Sequence, residues 1–162
     1  MDNEEVYDYF SDRISFNVCN KDKDNTSHTY QLEKMVLKSS SSPSVAIIAS
    51  DASIKNNVAT SIVHIHIYNK PLTKTIHYTV LITSTEAKLF AIRYGINQAT
   101  NLNNIAKIIV VTDSIHMARK IFNSSVHSYQ LPSAAILYKL CNFFNCHEDN
   151  TIEFWECPSH LK

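Results

Sequence analysis

Three carboxylates are the residues best placed to do chemistry. From Ser44 to His147 the chain carries nine Lys or Arg but only three acids, Asp51, Glu86 and Asp113. None of the three falls in a hydrophilic loop. Asp51 interrupts the apolar run VAIIASDASI (45–54) on the face of Val45, Ile47 and Ala49; Glu86 opens a helical pattern; Asp113 ends the run KIIVVT. A carboxylate in or beside a core costs several kcal/mol unless a cation compensates it. No Lys or Arg adjoins any of them in sequence, so three gathered together would repel one another. A hard divalent ion with all-oxygen ligation, Mg²⁺ or Mn²⁺, would relieve that repulsion. Each acid also has a structural explanation. Thr83-Ser84-Thr85-Glu86 fits a capping box, Asp113 before Ser114 fits an N-cap, and Asp51-Ala52-Ser53 fits an Asx turn at a strand end. Those explanations leave the scarcity of other acids in the region unaccounted for.

The elements that must position these residues follow from periodicity. Val45–Ile54 reads as a buried strand. Ala59–Tyr68 alternates strictly, with Val63, Ile65 and Ile67 on one face and Ile62, His64, His66 and Tyr68 on the other, and Thr73–Leu81 is a third strand. These three are expected to form an antiparallel meander. Thr83–Ala99 switches to helical spacing, with Ala87, Phe90, Ala91 and Tyr94 on one stripe. Lys107–Thr112 is β-branched and apolar throughout, the pattern of a strand covered on both faces. A short helix over 114–122 follows, then a helix over 133–144 entered by Pro132, and a last strand, Thr151–Glu156. The order predicts an α/β layer fold whose fourth strand lies parallel to the first. In such a sheet ligands gather at the carboxyl ends of the strands, where Asp113 is delivered.

Composition narrows the function classes. The chain has 162 residues with 15 basic and 15 acidic side chains, enough for one domain with a substantial core. It has no apolar run long enough for a bilayer and no basic, apolar signal at its start, so an intracellular protein is expected, with no membrane partner. Four cysteines are too few for a disulfide scaffold and read as reduced thiols. Gly95 is the single glycine, which excludes any glycine-rich phosphate cradle. The serine run 39–42 with Pro43 reads as a linker dividing the chain into residues 1–43 and 44–162. The first part has eight acids and five bases; it is expected to be partly disordered or docked, with a short strand around Ile14, Phe16 and Val18 and a turn at KDKDNTS. The second has ten bases and seven acids, a mild positive balance open to phosphates.

Other constellations carry less. Cys141, Cys146, His147, Cys157 and His160 match no standard zinc spacing. His64-x-His66 reads as a solvated or partly covered strand face. No segment has a nucleophile elbow, which argues against a Cys/His hydrolase.

Four segments in order, SDAS (50–53), STEAKLFAI (84–92), VVTDS (110–114) and WECPSH (155–160), resemble the RNase H type I domain. The flavour is that of reverse-transcriptase polyproteins of non-LTR retrotransposons, and the likeness covers about residues 44–162. The resemblance implies an RNase H-like five-stranded mixed sheet, order 3-2-1-4-5, with helices on both faces. It implies Asp51 bridging two Mg²⁺ ions, Glu86 and Asp113 each completing one, and His160 assisting the attacking water or product release. Ser53, Ser84, Thr85 and Ser114 are the implied substrate contacts. The implied reaction is endonucleolytic hydrolysis of the RNA strand of an RNA/DNA hybrid.

The sequence departs from that pattern at four places. The final helix, with a fourth carboxylate beyond the histidine, is missing, so the domain is expected to be truncated. IKNN (54–57) replaces the glycines usual after the first aspartate. Ser84 and Thr85 stand where many members have amides, and residues 123–132 hold no basic handle. The rival expectation is a catalytically impaired remnant that binds nucleic acid or a protein partner. A strand transferase on the same fold would order its acids Asp, Asp, Glu, against Asp51, Glu86, Asp113 here.

Overall fold

The computed structural model describes residues 7–19, 25–56, 58–68, 72–77, 83–113, 115–122 and 131–158. Six strands form one sheet: β1 (Ile14–Asn17), β2 (Val45–Lys55), β3 (Val58–Ile67), β4 (Leu72–His77), β5 (Lys107–Thr112) and β6 (Thr151–Glu156). Their spatial order is β1-β6-β5-β2-β3-β4. The β2-β3-β4 meander is antiparallel, while β5, β6 and β1 run parallel to β2. Strands β2 to β6 therefore realise the mixed RNase H-like order 3-2-1-4-5, with β1 added as a sixth strand beyond β6. After β2 the chain turns at Asn56, with φ 53°, a backbone region that asparagine tolerates in place of glycine.

Helices α1 (Thr26–Ser40), α2 (Ser84–Thr100), α3 (Ile115–Arg119) and α4 (Leu131–Cys146) complete the order. One face of the sheet packs on α2, α3 and α4: Ala46 and Ile48 of β2, Val63 and Ile65 of β3, Ile108 and Val110 of β5, and Ile152 and Phe154 of β6 share a core with Ala91, Ile92, Leu140 and Phe144. The other face is thinner. There Val45, Ile47 and Ile109 are buried against Met35 and Val36 of α1, with Val111 and Trp155 alongside. The apolar run of β5 is thus covered on both sides. Gly95 sits where α2 crosses β2, and a Cβ there would collide with Ile48, so the single glycine serves the closest helix-to-sheet approach.

The serine run differs from its expectation as a loop. Ser39 and Ser40 finish α1, and the connection to β2 is only residues 41–44. Serine hydroxyls fold back on the helix end: Ser40 Oγ donates to the Leu37 carbonyl (3.1 Å) and Ser41 Oγ to that of Lys38 (3.2 Å). His66 Nε2 bonds the Ser40 carbonyl at 3.1 Å, so this histidine, on a strand face partly covered by the end of α1, holds a helix C-terminus.

The segment before α1 is tied to the end of α4. Arg13 donates to the carbonyls of Phe144, His147 (2.9 Å) and Asn150 (3.0 Å), with its guanidinium 5.0 Å from the Phe144 ring centre. A cation is well suited to the unsatisfied carbonyls of a helix C-terminus.

Candidate active site

The register of β2 and β5 decides where the aspartates meet. Ala49 is level with Val111 at the last paired rung. Asp51 and Asp113 each lie two residues further along, so neighbouring parallel strands carry both to the same sheet edge. β2 does not stop there. It runs on to Lys55, paired with β3, and Asp51 is a residue within a strand, not at the strand-end turn its sequence suggested. Its Oδ1 accepts the Ala52 N–H at 2.8 Å.

Alternation fixes the face. Ser50 is opposite Val63, buried under α2, whereas Asp51 is opposite Ile62, 38% exposed on the face that α1 shares. Glu86 arrives from the other side, on α2. Its backbone N–H is capped by Thr83 Oγ1 at 3.1 Å, the first half of the capping box, and its side chain is exposed. Ser61, fully buried, donates to the Ala87 carbonyl at 2.8 Å. Since Ser61 pairs with Ala52 across the hairpin, the start of α2 is pinned next to Asp51's own neighbour.

Asp113 turns toward α2. Its Oδ2 is 3.6 Å from Lys88 Nζ, with both side chains about one-quarter exposed. Its Oδ1 is buried and has no hydrogen-bond partner among the described residues. The sequence placed no cation beside the acids, yet the fold supplies one, because Lys88 lies one helical turn inside α2 and β5 ends against that turn. Cys157, whose N–H donates to the Thr112 carbonyl at 2.8 Å, lies close by; burial and the nearby Asp113 charge push its thiol pKa up.

An oxygen-only donor set of this kind suits a hard divalent ion, and the orphaned Asp113 Oδ1 is a buried donor of the right chemistry. The three acids are not gathered into one group: among the described residues no three His, Cys, Asp or Glu side chains stand close enough to hold a metal ion. Ser53 is exposed on β2. Ser84 and Thr85 open α2, and only their backbone is described. Ser114 and His160 lie outside the described residues, as do most of 123–132 and the turn at 21–24. No described helix is long and apolar enough to cross a membrane.

What fold and site define is a mixed α/β domain with two aspartates at the carboxyl edge of adjacent parallel strands. No protein-family model matches the chain, and no curated protein matches it. Among solved structures it is similar to the RNase H1 called LC11, isolated from compost and solved in complex with an RNA/DNA hybrid (14% identity, 70% of this chain and 86% of that one, TM-score 0.49). It is also similar to RNase H1 of Halobacterium salinarum (11% identity, 71% and 86%, TM-score 0.47). A third is the N-terminal RNase H domain of a Mycobacterium tuberculosis protein (13% identity, 72% and 84%, TM-score 0.49).

Proposed function

We propose that the chain is an RNase H-type domain that binds an RNA/DNA hybrid at the β2/β5 edge and hydrolyses its RNA strand. One observation carries this reading: SDAS and VVTDS, far apart in sequence, lie on neighbouring parallel strands so that Asp51 and Asp113 each fall two residues past the last paired rung, Ala49–Val111. STEAKLFAI then opens the helix anchored beside them through Ser61 and Ala87. Asp51, Glu86 and Asp113 are the carboxylates that would hold Mg²⁺, or Mn²⁺, with two ions in the complete site, once Asp51 on the α1 face and Glu86 and Asp113 toward α2 draw together around the metal. Bound there, the metal supplies water activation and leaving-group stabilisation. Asp113 contributes the buried oxygen, Asp51 the oxygen on the open face, and Glu86 an exposed carboxylate at the helix entrance. His160 takes the role of assisting the water. The motifs favour a retroelement polyprotein carrying a reverse transcriptase as the source of the domain.

A second reading, a hybrid-binding remnant with impaired cleavage, is favoured by the Lys88–Asp113 ion pair, which already neutralises one of the three acids. A single experiment separates the two. The full chain, Asp51→Asn and Asp113→Asn are incubated with an end-labelled RNA/DNA hybrid in Mg²⁺ or Mn²⁺, and hybrid binding is followed in parallel by anisotropy. Cleavage by the parent alone supports the hydrolase. Binding without cleavage supports the remnant. Absence of both overturns the hybrid as ligand.

A further inference from the structure

Away from the candidate acids, the face packed by α2 and α4 carries a cleft of about 840 Å³ between the N-terminal arm, β1 and α3. Its size falls in the range of small-ligand sites. His116, Arg119 and Lys120 line it, spaced i, i+3 and i+4 so that they share one side of α3 and its 3₁₀ extension Lys120–Phe122. Among the described residues Asp8 is the one acid on the wall, and no ion pair joins it to these three groups. The cleft is therefore electropositive, in a chain whose formal charge is zero.

Its other wall is aromatic. Phe16 is stacked on Phe154 with ring centres 4.9 Å apart and planes 11° from parallel, and Tyr7 leans between Phe16 (6.3 Å) and Phe122 (5.6 Å). The Arg119 guanidinium lies 5.0 Å from the Phe16 ring centre. Among the described residues it has no hydrogen bond or ion pair. A guanidinium parked against a ring keeps its N–H donors for an oxyanion, and a pre-positioned fork loses less freedom on binding than a mobile one. Half-buried Tyr7 adds a ring edge to the same cleft.

We propose that this cleft seats one nucleotide unit, its phosphate on Arg119 and Lys120 and its base against Tyr7. Side chains do here what a glycine-rich backbone loop does elsewhere, so the single glycine is no obstacle. The nucleotide comes either from a single strand or from a free mononucleotide, two sources that share the same phosphate and aromatic chemistry. The site does not rest on the hydrolytic reading, since neither Asp51 nor Asp113 nor a metal takes part.

The test is run in EDTA, which separates it from metal-dependent chemistry at the β2/β5 edge. Anisotropy of a short labelled single-stranded oligonucleotide is titrated with the full chain, with Lys120→Gln, with Arg119→Gln/Lys120→Gln, and with Lys38→Gln on the opposite face. Adenosine 5′-monophosphate is added as competitor, and far-UV circular dichroism verifies folding. The double variant is expected to lose roughly tenfold in affinity and to flatten the logarithmic salt slope by about 0.7, one single-strand phosphate's worth. Lys120→Gln, at an exposed position, is expected to lose part of that, and Lys38→Gln less than about twofold. Displacement by the mononucleotide identifies a free nucleotide as sufficient, and resistance to it with retained oligonucleotide binding identifies a strand; both support the site. Equal losses for Lys38→Gln and the cleft variants, or no binding of either probe, overturn it.

Discussion

The two faces of the sheet are built to different standards. Among the described residues, 24 buried apolar residues form one continuous core toward α2, α3 and α4, whereas toward α1 the corresponding cluster has three. The difference separates two tasks. The thick face determines the fold, and the thin face leaves β2 open enough for Asp51 to be solvent-exposed within a paired strand. A carboxylate on the thick face would have been a buried charge without a partner, at a cost of several kcal/mol.

Substitutions on the two faces test that contrast. Phe154→Ala, which empties a fully buried site stacked on Phe16, is expected to lower unfolding free energy by about 3–5 kcal/mol in urea titration. Met35→Ala, on the half-buried side of α1, is expected to cost about 1 kcal/mol. Equal losses would mean that α1 is as much a part of the core as α2.

Lys88→Gln sharpens the same comparison at the site. It removes the cation from Asp113 and is expected to tighten Mn²⁺ binding several-fold by calorimetry, with little change in urea midpoint because the pair is partly exposed. Unchanged affinity would remove Asp113 from the metal-holding set. The smallest effect lies at the far edge. Burial and then Glu156 push the Cys19 thiol from its ordinary value of 9.0 up to about 11. The unfolded chain releases that proton first, so the native state loses stability as pH rises from about 9 to 11, and below 9 the contribution is constant. Cys19 is expected to react with iodoacetamide more slowly at pH 8 than exposed Cys146, read by peptide mass mapping. Equal rates would show that the edge is open.

Much of this architecture was legible in the residues because it is local. The alternation of β3, the helical stripe of α2 and the all-apolar run of β5 each declare their own geometry, and together they imply the antiparallel meander and a parallel partner for β2, while the full strand order came from the family resemblance. Long-range features were not legible. Ile14–Asn17 is too short to announce that it pairs with β6. Ser39 and Ser40 read as a linker because serine favours caps and turns, yet they finish α1, with the Ser40 hydroxyl folded back on the Leu37 carbonyl and its own carbonyl met by His66. At the candidate site, residue types and edge were readable from sequence. The Lys88 contact was not, because Asp113 meets that cation only after α2 has packed on the sheet.

The parallel pairing of β1 with β6 also sets an order of events during synthesis. Asn17 and Phe154 touch across 137 positions of chain, so β1 finds its neighbour only once β6 has been made. Until then β1 waits unpaired, while the β2-β3-β4 meander, held by contacts between adjacent segments, assembles without it. Long-range closure of this kind is slow compared with local pairing, and the arm that Arg13 clips to the end of α4 is accordingly the last part of the sheet to lock.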